Sequence, residues 1–73
     1  MPAIDTISDR LYDYLRDNRI TQEHFAEVVD VDQTTVSRWI TRAQTPSVDM
    51  LVRICDATGM TADYLLGLED DYG

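Results

Sequence analysis

Lysine is absent from these 73 residues; all six basic residues are arginines, set against fourteen aspartates and glutamates, for a net charge of −8. A uniformly basic surface that holds phosphate backbone without discrimination is thereby excluded, since neutralising phosphates supplies most non-specific nucleic-acid affinity. Cysteine occurs once, at Cys55, so no internal disulfide can close, and the expectation is a reducing cytoplasm. Apolar runs reach only two or three residues, too short to span a membrane. The opening residues Met1 to Asp5 have neither a basic start nor an apolar stretch, so no signal peptide is expected. With one histidine, His24, and three glycines, there is no metal-ligand cluster and no Gly-rich phosphate loop. The expectation is no catalysis, no metal, no cofactor and no small-molecule ligand.

A chain of this length makes one domain near the lower limit for folding alone, burying only about 60% of the surface its unfolded chain exposes. Residues 1–68 are expected to form it, with 69–73 a short acidic tail that frays. The charge is unevenly placed. Residues 33–48 contain no acid and hold Arg38 and Arg42, a local +2 that leaves −10 on the remainder of a chain whose total is −8. Screening at physiological salt has a length of about 8 Å, so a local basic face can act while the acids lie elsewhere.

Helical periodicity runs throughout and no strand pattern appears. The first helix is predicted over residues 7–18, capped by Thr6 or Asp5, with Ile7, Leu11, Tyr14 and Leu15 inward. Asp5, Asp9, Asp13 and Asp17 recur every fourth residue, which reads as a solvated acidic ridge or as a repulsive or partner-binding face turned away from DNA. Thr21 caps a second helix to about residue 29. Asp30, Val31 and Asp32 make a turn, and Asp32 is suited to cap a third helix over 33–40. Pro46 keeps the preceding residue out of helix. Ser47 caps a fourth helix with inner stripe Val48, Leu51, Ile54 and Cys55, ended by Gly59. Thr61 caps a short fifth helix carrying Leu65 and Leu66, stopped by Gly67.

Residues 21–40 carry the functional signal. Phe25, Ala26, Val29, Val31, Val36 and Trp39 fall at helical spacing on either side of the turn and can share one core. Ala26 is small, as a contact between helices crossing at roughly 90–120° requires. The outward positions of the second of these helices are Gln33, Thr34, Ser37 and Arg38, all able to donate or accept hydrogen bonds and none acidic. That is the chemistry of a helix that reads base edges in a major groove. Trp39 and Cys55 read as core residues. Met50, Met60, Val28 and Ile40 read as apolar side chains outside or at the rim, an excess that points to a homodimer.

These residues resemble the Cro/repressor-type (Xre-like) helix-turn-helix family over residues 10–67. The carriers are Ile20-Thr21-Gln22-Glu23, Ala26, Val31, Val36-Ser37-Arg38-Trp39, Pro46-Ser47, Leu51, Ile54, Gly59 and Asp63-Tyr64-Leu65-Leu66-Gly67. The resemblance implies an all-α, five-helix, lambda-repressor-like domain with a central helix-turn-helix. It implies Gln33, Thr34 and Arg38 as base readers, with Ser37 beside them. Gln22 at the amino end of the second helix becomes the phosphate anchor, and Thr35, Thr41 and Arg42 further phosphate contacts. The chain departs from the family pattern where glycine is common: it has Arg19 before Ile20, Asp30 in the turn and Arg42 after the third helix, and Ile40 follows Trp39 where the family commonly has Glu.

One helix touching three or four base pairs cannot find its site among roughly 10⁶ or more competitors, so two copies on a palindrome with half-sites about 34 Å apart are expected. The resemblance puts their contact after the third helix and at the end of the fifth, with Ile40, Tyr64, Leu68 and Tyr72 as candidates. The leading expectation is therefore a transcriptional repressor of a phage or mobile element that binds a double-stranded DNA operator, cytoplasmic and nucleoid-associated. The rival is an acidic protein-interaction module on the same fold, a DNA mimic or anti-repressor, for which the acid-free stretch with Arg38 and Arg42 has no purpose.

Overall fold

The computed structural model describes residues 3–68. Five helices follow one another: α1 Ala3–Asn18, α2 Gln22–Val29, α3 Gln33–Ile40, α4 Val48–Thr58 and α5 Ala62–Leu65. No strand occurs among the described residues. The helix over 7–18 starts a turn earlier than its pattern indicated, and Asp5 and Thr6, expected as caps, lie inside it. The extra turn has a use: Thr6 packs so closely on Gly67 that a Cβ added there would stand 2.8 Å from Thr6 Cγ2.

Local chemistry sets the other starts. The hydroxyls of Thr21, Ser47 and Thr61 accept from the amides of His24, Met50 and Tyr64 at 3.0, 3.2 and 3.0 Å, each satisfying an amide the helix leaves open. Asp32 holds the same place before α3, but only its backbone takes part. Its carbonyl accepts from Thr35 and Val36 at 3.0 and 3.3 Å, while the exposed carboxylate makes no capping bond and stays with solvent.

One hydrogen-bond pattern closes α1, α2, α3 and α5. The amides of Ile20, Val31, Ala43 and Leu68 reach back five residues, to Leu15, Ala26, Arg38 and Asp63, at 2.7 to 2.9 Å. The residue before each reaches back three, and it is Arg19, Asp30, Arg42 or Gly67. This is the Schellman closure, which needs a left-handed residue at that point. All four are left-handed, with φ of 55°, 61°, 68° and 83°.

The core gathers Ile7, Leu11 and Leu15 of α1, Phe25, Ala26 and Val29 of α2, Val36 and Trp39 of α3, Ile54 of α4, then Met60, Tyr64 and Leu65. Tyr14 and Val31 pack against it, half-buried. Four expectations change. Met60, read as exposed, is buried, because the left-handed turn at Gly59 redirects the chain inward. Val48, read as inward, is 75% exposed. Val48 is the first residue of α4, and though a spacing of seven residues puts it on the same side of the helix as Cys55, it lies beyond the core cluster. Leu51 and Cys55 of the expected stripe, with Met50 beside them, pack against the core half-buried, so Cys55 is not the fully buried hydrophobe expected. Tyr64 is 3% exposed, with Arg10 stacked on its ring at 4.6 Å, and so is a core residue.

Candidate nucleic-acid interface

The two helices of the turn are held at a fixed angle from three sides. Phe25, Ala26 and Val29 meet Val36 and Trp39 in the core. Asp30 reverses the chain in the left-handed conformation, which Asp tolerates better than most residues. Arg53, reaching over from α4, donates to the carbonyls of Val29 and Asp30, both at 3.4 Å. That strut escaped sequence reading, since nothing local marks an arginine 23 residues downstream as a partner of the turn. The far end of α3 is tied to α1, because buried Ser8 donates its hydroxyl to the Trp39 carbonyl. The Trp39 indole Nε1 has no acceptor among the described residues.

On this frame Gln22 of α2 and Gln33, Thr34 and Ser37 of α3 line one shallow depression of about 270 Å³. Gln33 and Thr34 are exposed, and Gln22 and Ser37 half-buried. The expected phosphate anchor and expected base-reading residues thus adjoin. Amide and hydroxyl groups line this surface, and both donate as well as accept. Arg38 is exposed on the same helix, with no ion pair or hydrogen bond from its side chain among the described residues. It can present its planar fork outward, which suits guanine O6 and N7.

The remaining candidates sit differently. Thr35 is half-buried. Thr41 donates its hydroxyl back to the Ser37 carbonyl at 2.9 Å, and a phosphate, which only accepts, would have to compete for that hydrogen. Arg42 is drawn across to α1, its Nη2 2.5 Å from Asp9 Oδ1. The local +2 of residues 33–48 is therefore offset by a carboxylate from another element. The acidic ridge stays largely exposed and is also paired: Asp9 holds Arg42, while Asp13 and Asp17 share Arg16 at 3.3 and 3.2 Å. Those carboxylates push the Arg16 guanidinium above its ordinary pKa, the Asp17 hydrogen bond contributing most.

Of the expected subunit contacts, Tyr64 is core, Ile40 is half-buried against the core, Leu68 is 74% exposed and Tyr72 lies outside the described residues. A separate apolar groove of about 410 Å³ runs between α4 and α5, lined by Val48, Leu51, Val52, Cys55, Met60 and Leu66 among others. Burial there, with Asp56 adding, pushes the Cys55 thiol up. No described helix is long and apolar enough to cross a membrane.

No curated protein and no solved structure matches the chain. A family model described as helix-turn-helix matches residues 11–65, from the α1 core residue Leu11 to the α5 core residue Leu65. With both helices of the turn, their core and the outward face of α3 inside that span, the chain belongs to the Xre/Cro-like helix-turn-helix family of DNA-binding regulatory domains.

Proposed function

We propose that the protein is a sequence-specific transcriptional regulator, a phage or mobile-element repressor that occupies a palindromic operator as a homodimer in the cytoplasm. The observation that carries the reading is the shared depression of Gln22, Gln33, Thr34 and Ser37, with Arg38 exposed on the same helix and its side chain unpaired among the described residues. α3 enters the major groove; Gln33 takes adenine N6 and N7, Arg38 takes guanine, and the amino end of α2 abuts a phosphate. Repression is steric, through an operator that overlaps a promoter.

The second copy is assigned to the apolar α4–α5 groove rather than to Tyr64 and Ile40. Val48, Val52 and Leu66 are the large apolar side chains left exposed there, at 41 to 75%. Covering them adds the buried area a domain this small lacks.

Selection of bound sequences from a random duplex library tests the reading. A palindromic consensus is expected. Arg38→Ala should relax the preference at one base pair by about 1–3 kcal/mol, and Gln22→Ala should weaken all sites alike. Binding untouched by both changes would overturn the docking. Failure to bind any duplex at low salt would favour the acidic protein-interaction module.

A further inference from the structure

Arg42 stands just beyond α3, where a cation would meet the phosphates flanking the helix's site. Its backbone is held by the closing bonds of α3, from its own amide to Trp39 at 3.4 Å and from Ala43 to Arg38 at 2.9 Å. From that fixed point the guanidinium reaches Asp9, 33 residues earlier. Asp9 is presented by a rigid element, since the neighbouring Ser8 is bonded to the Trp39 carbonyl. The two side chains are 44% and 56% exposed. A pair this exposed is weakly held, whereas phosphate offers a full charge and the release of condensed counterions.

We propose that Asp9 is a built-in competitor for phosphate: it holds Arg42 in the free protein, and on DNA the guanidinium exchanges Asp9 for a phosphate oxygen. The inference rests on the DNA-binding reading above. The pair then sets how readily the domain grips any duplex, without touching the base-reading positions. Non-specific affinity is lowered, and Gln33 and Arg38 carry a larger share of the choice between sites.

The test measures affinity for a pooled random duplex at several salt concentrations, with thermal unfolding as a check on folding. The proteins are the full chain, Asp9→Asn, Arg42→Ala, the double variant, and Asp13→Asn, whose carboxylate is held by Arg16 instead. Asp9→Asn is expected to bind about two- to fivefold tighter, the range that an exposed ion pair of ordinary strength implies. Arg42→Ala should bind more weakly, with a salt slope shallower by about one. In the Arg42→Ala background, Asp9→Asn should add nothing. An equal gain with and without Arg42, or an equal gain from Asp13→Asn, would show a diffuse charge effect and overturn the exchange. Duplex binding with no gain from Asp9→Asn overturns the exchange alone; no binding by any of these proteins overturns the DNA reading and the exchange together.

Discussion

Among the described residues, Arg19, Asp30 and Arg42 are the non-glycine residues with positive φ, and each stands where the family commonly carries glycine. A left-handed L residue costs roughly 1–2 kcal/mol, because Cβ crowds the following carbonyl, and Asp less than most. Glycine removes that cost but loses more chain entropy on folding, worth about 0.4–1 kcal/mol. Arg19→Gly is therefore expected to stabilise the fold by about 0.5 kcal/mol, and Asp30→Gly by less, read from urea unfolding midpoints. A loss of stability in Arg19→Gly would mean its side chain does something the backbone argument omits. Ser8 bears on the same closures. Ser8→Ala removes the side-chain donor to the Trp39 carbonyl and leaves it to backbone amides at the end of α3, the Arg42 bond being long at 3.4 Å, and should cost about 1–2 kcal/mol in the same assay. The sequence made the three departures legible as residue types, and the conformation they must adopt could be read at Asp30 alone, where the turn was already drawn. At residues 19 and 42 the left-handed backbone follows from how the helices end against the core.

Three helix starts were legible because their causes are local, while the start of α1, set by packing on Gly67, was not. A hydroxyl at Thr21, Ser47 or Thr61 can satisfy an amide three residues on whatever the rest of the chain does. The orientation of a helix is another matter. The α4 stripe read as Val48, Leu51, Ile54 and Cys55 loses Val48 and gains Met50, because how far the core reaches along a helix is set by its neighbours. Arg53 shows the converse: a surface-looking arginine braces the turn of α2 and α3. Arg53→Met removes two long hydrogen bonds and should cost about 0.5–1 kcal/mol. Hydrogen exchange should speed up at the Asp30 and Val31 amides, which bond back into α2, and change little in α1. Uniform acceleration across the chain would instead indicate global destabilisation.

Over the whole molecule, small size and exposed apolar surface favour the proposed pairing and net charge opposes it. A chain at −8 repels both DNA and its own copy, so binding must draw on local contacts and covered apolar area rather than on net attraction. Cys55 offers a direct report on the groove. Its thiol is pushed up by burial, so at neutral pH it holds less reactive thiolate than an unfolded-chain cysteine. Alkylation is expected to be slow in the folded protein, to quicken as pH rises toward the raised value, and to slow again when protein concentration reaches the dimer range. A rate independent of concentration, with a monomer by sedimentation at tens of micromolar with and without operator, would remove the α4–α5 pairing.

Period, caps and turn chemistry determined five helices, a turn after residue 29 and an outward polar face on α3, because each depends on residues within about one or two helical turns of one another. Tertiary structure decided which arginines remain available to a ligand. Arg10 lies on Tyr64, Arg53 on the turn and Arg42 on Asp9, while Arg38 has no such hold among the described residues. Those partners lie 23 to 54 residues apart along the chain, so only the packing of α1, α4 and α5 around the core brings them together.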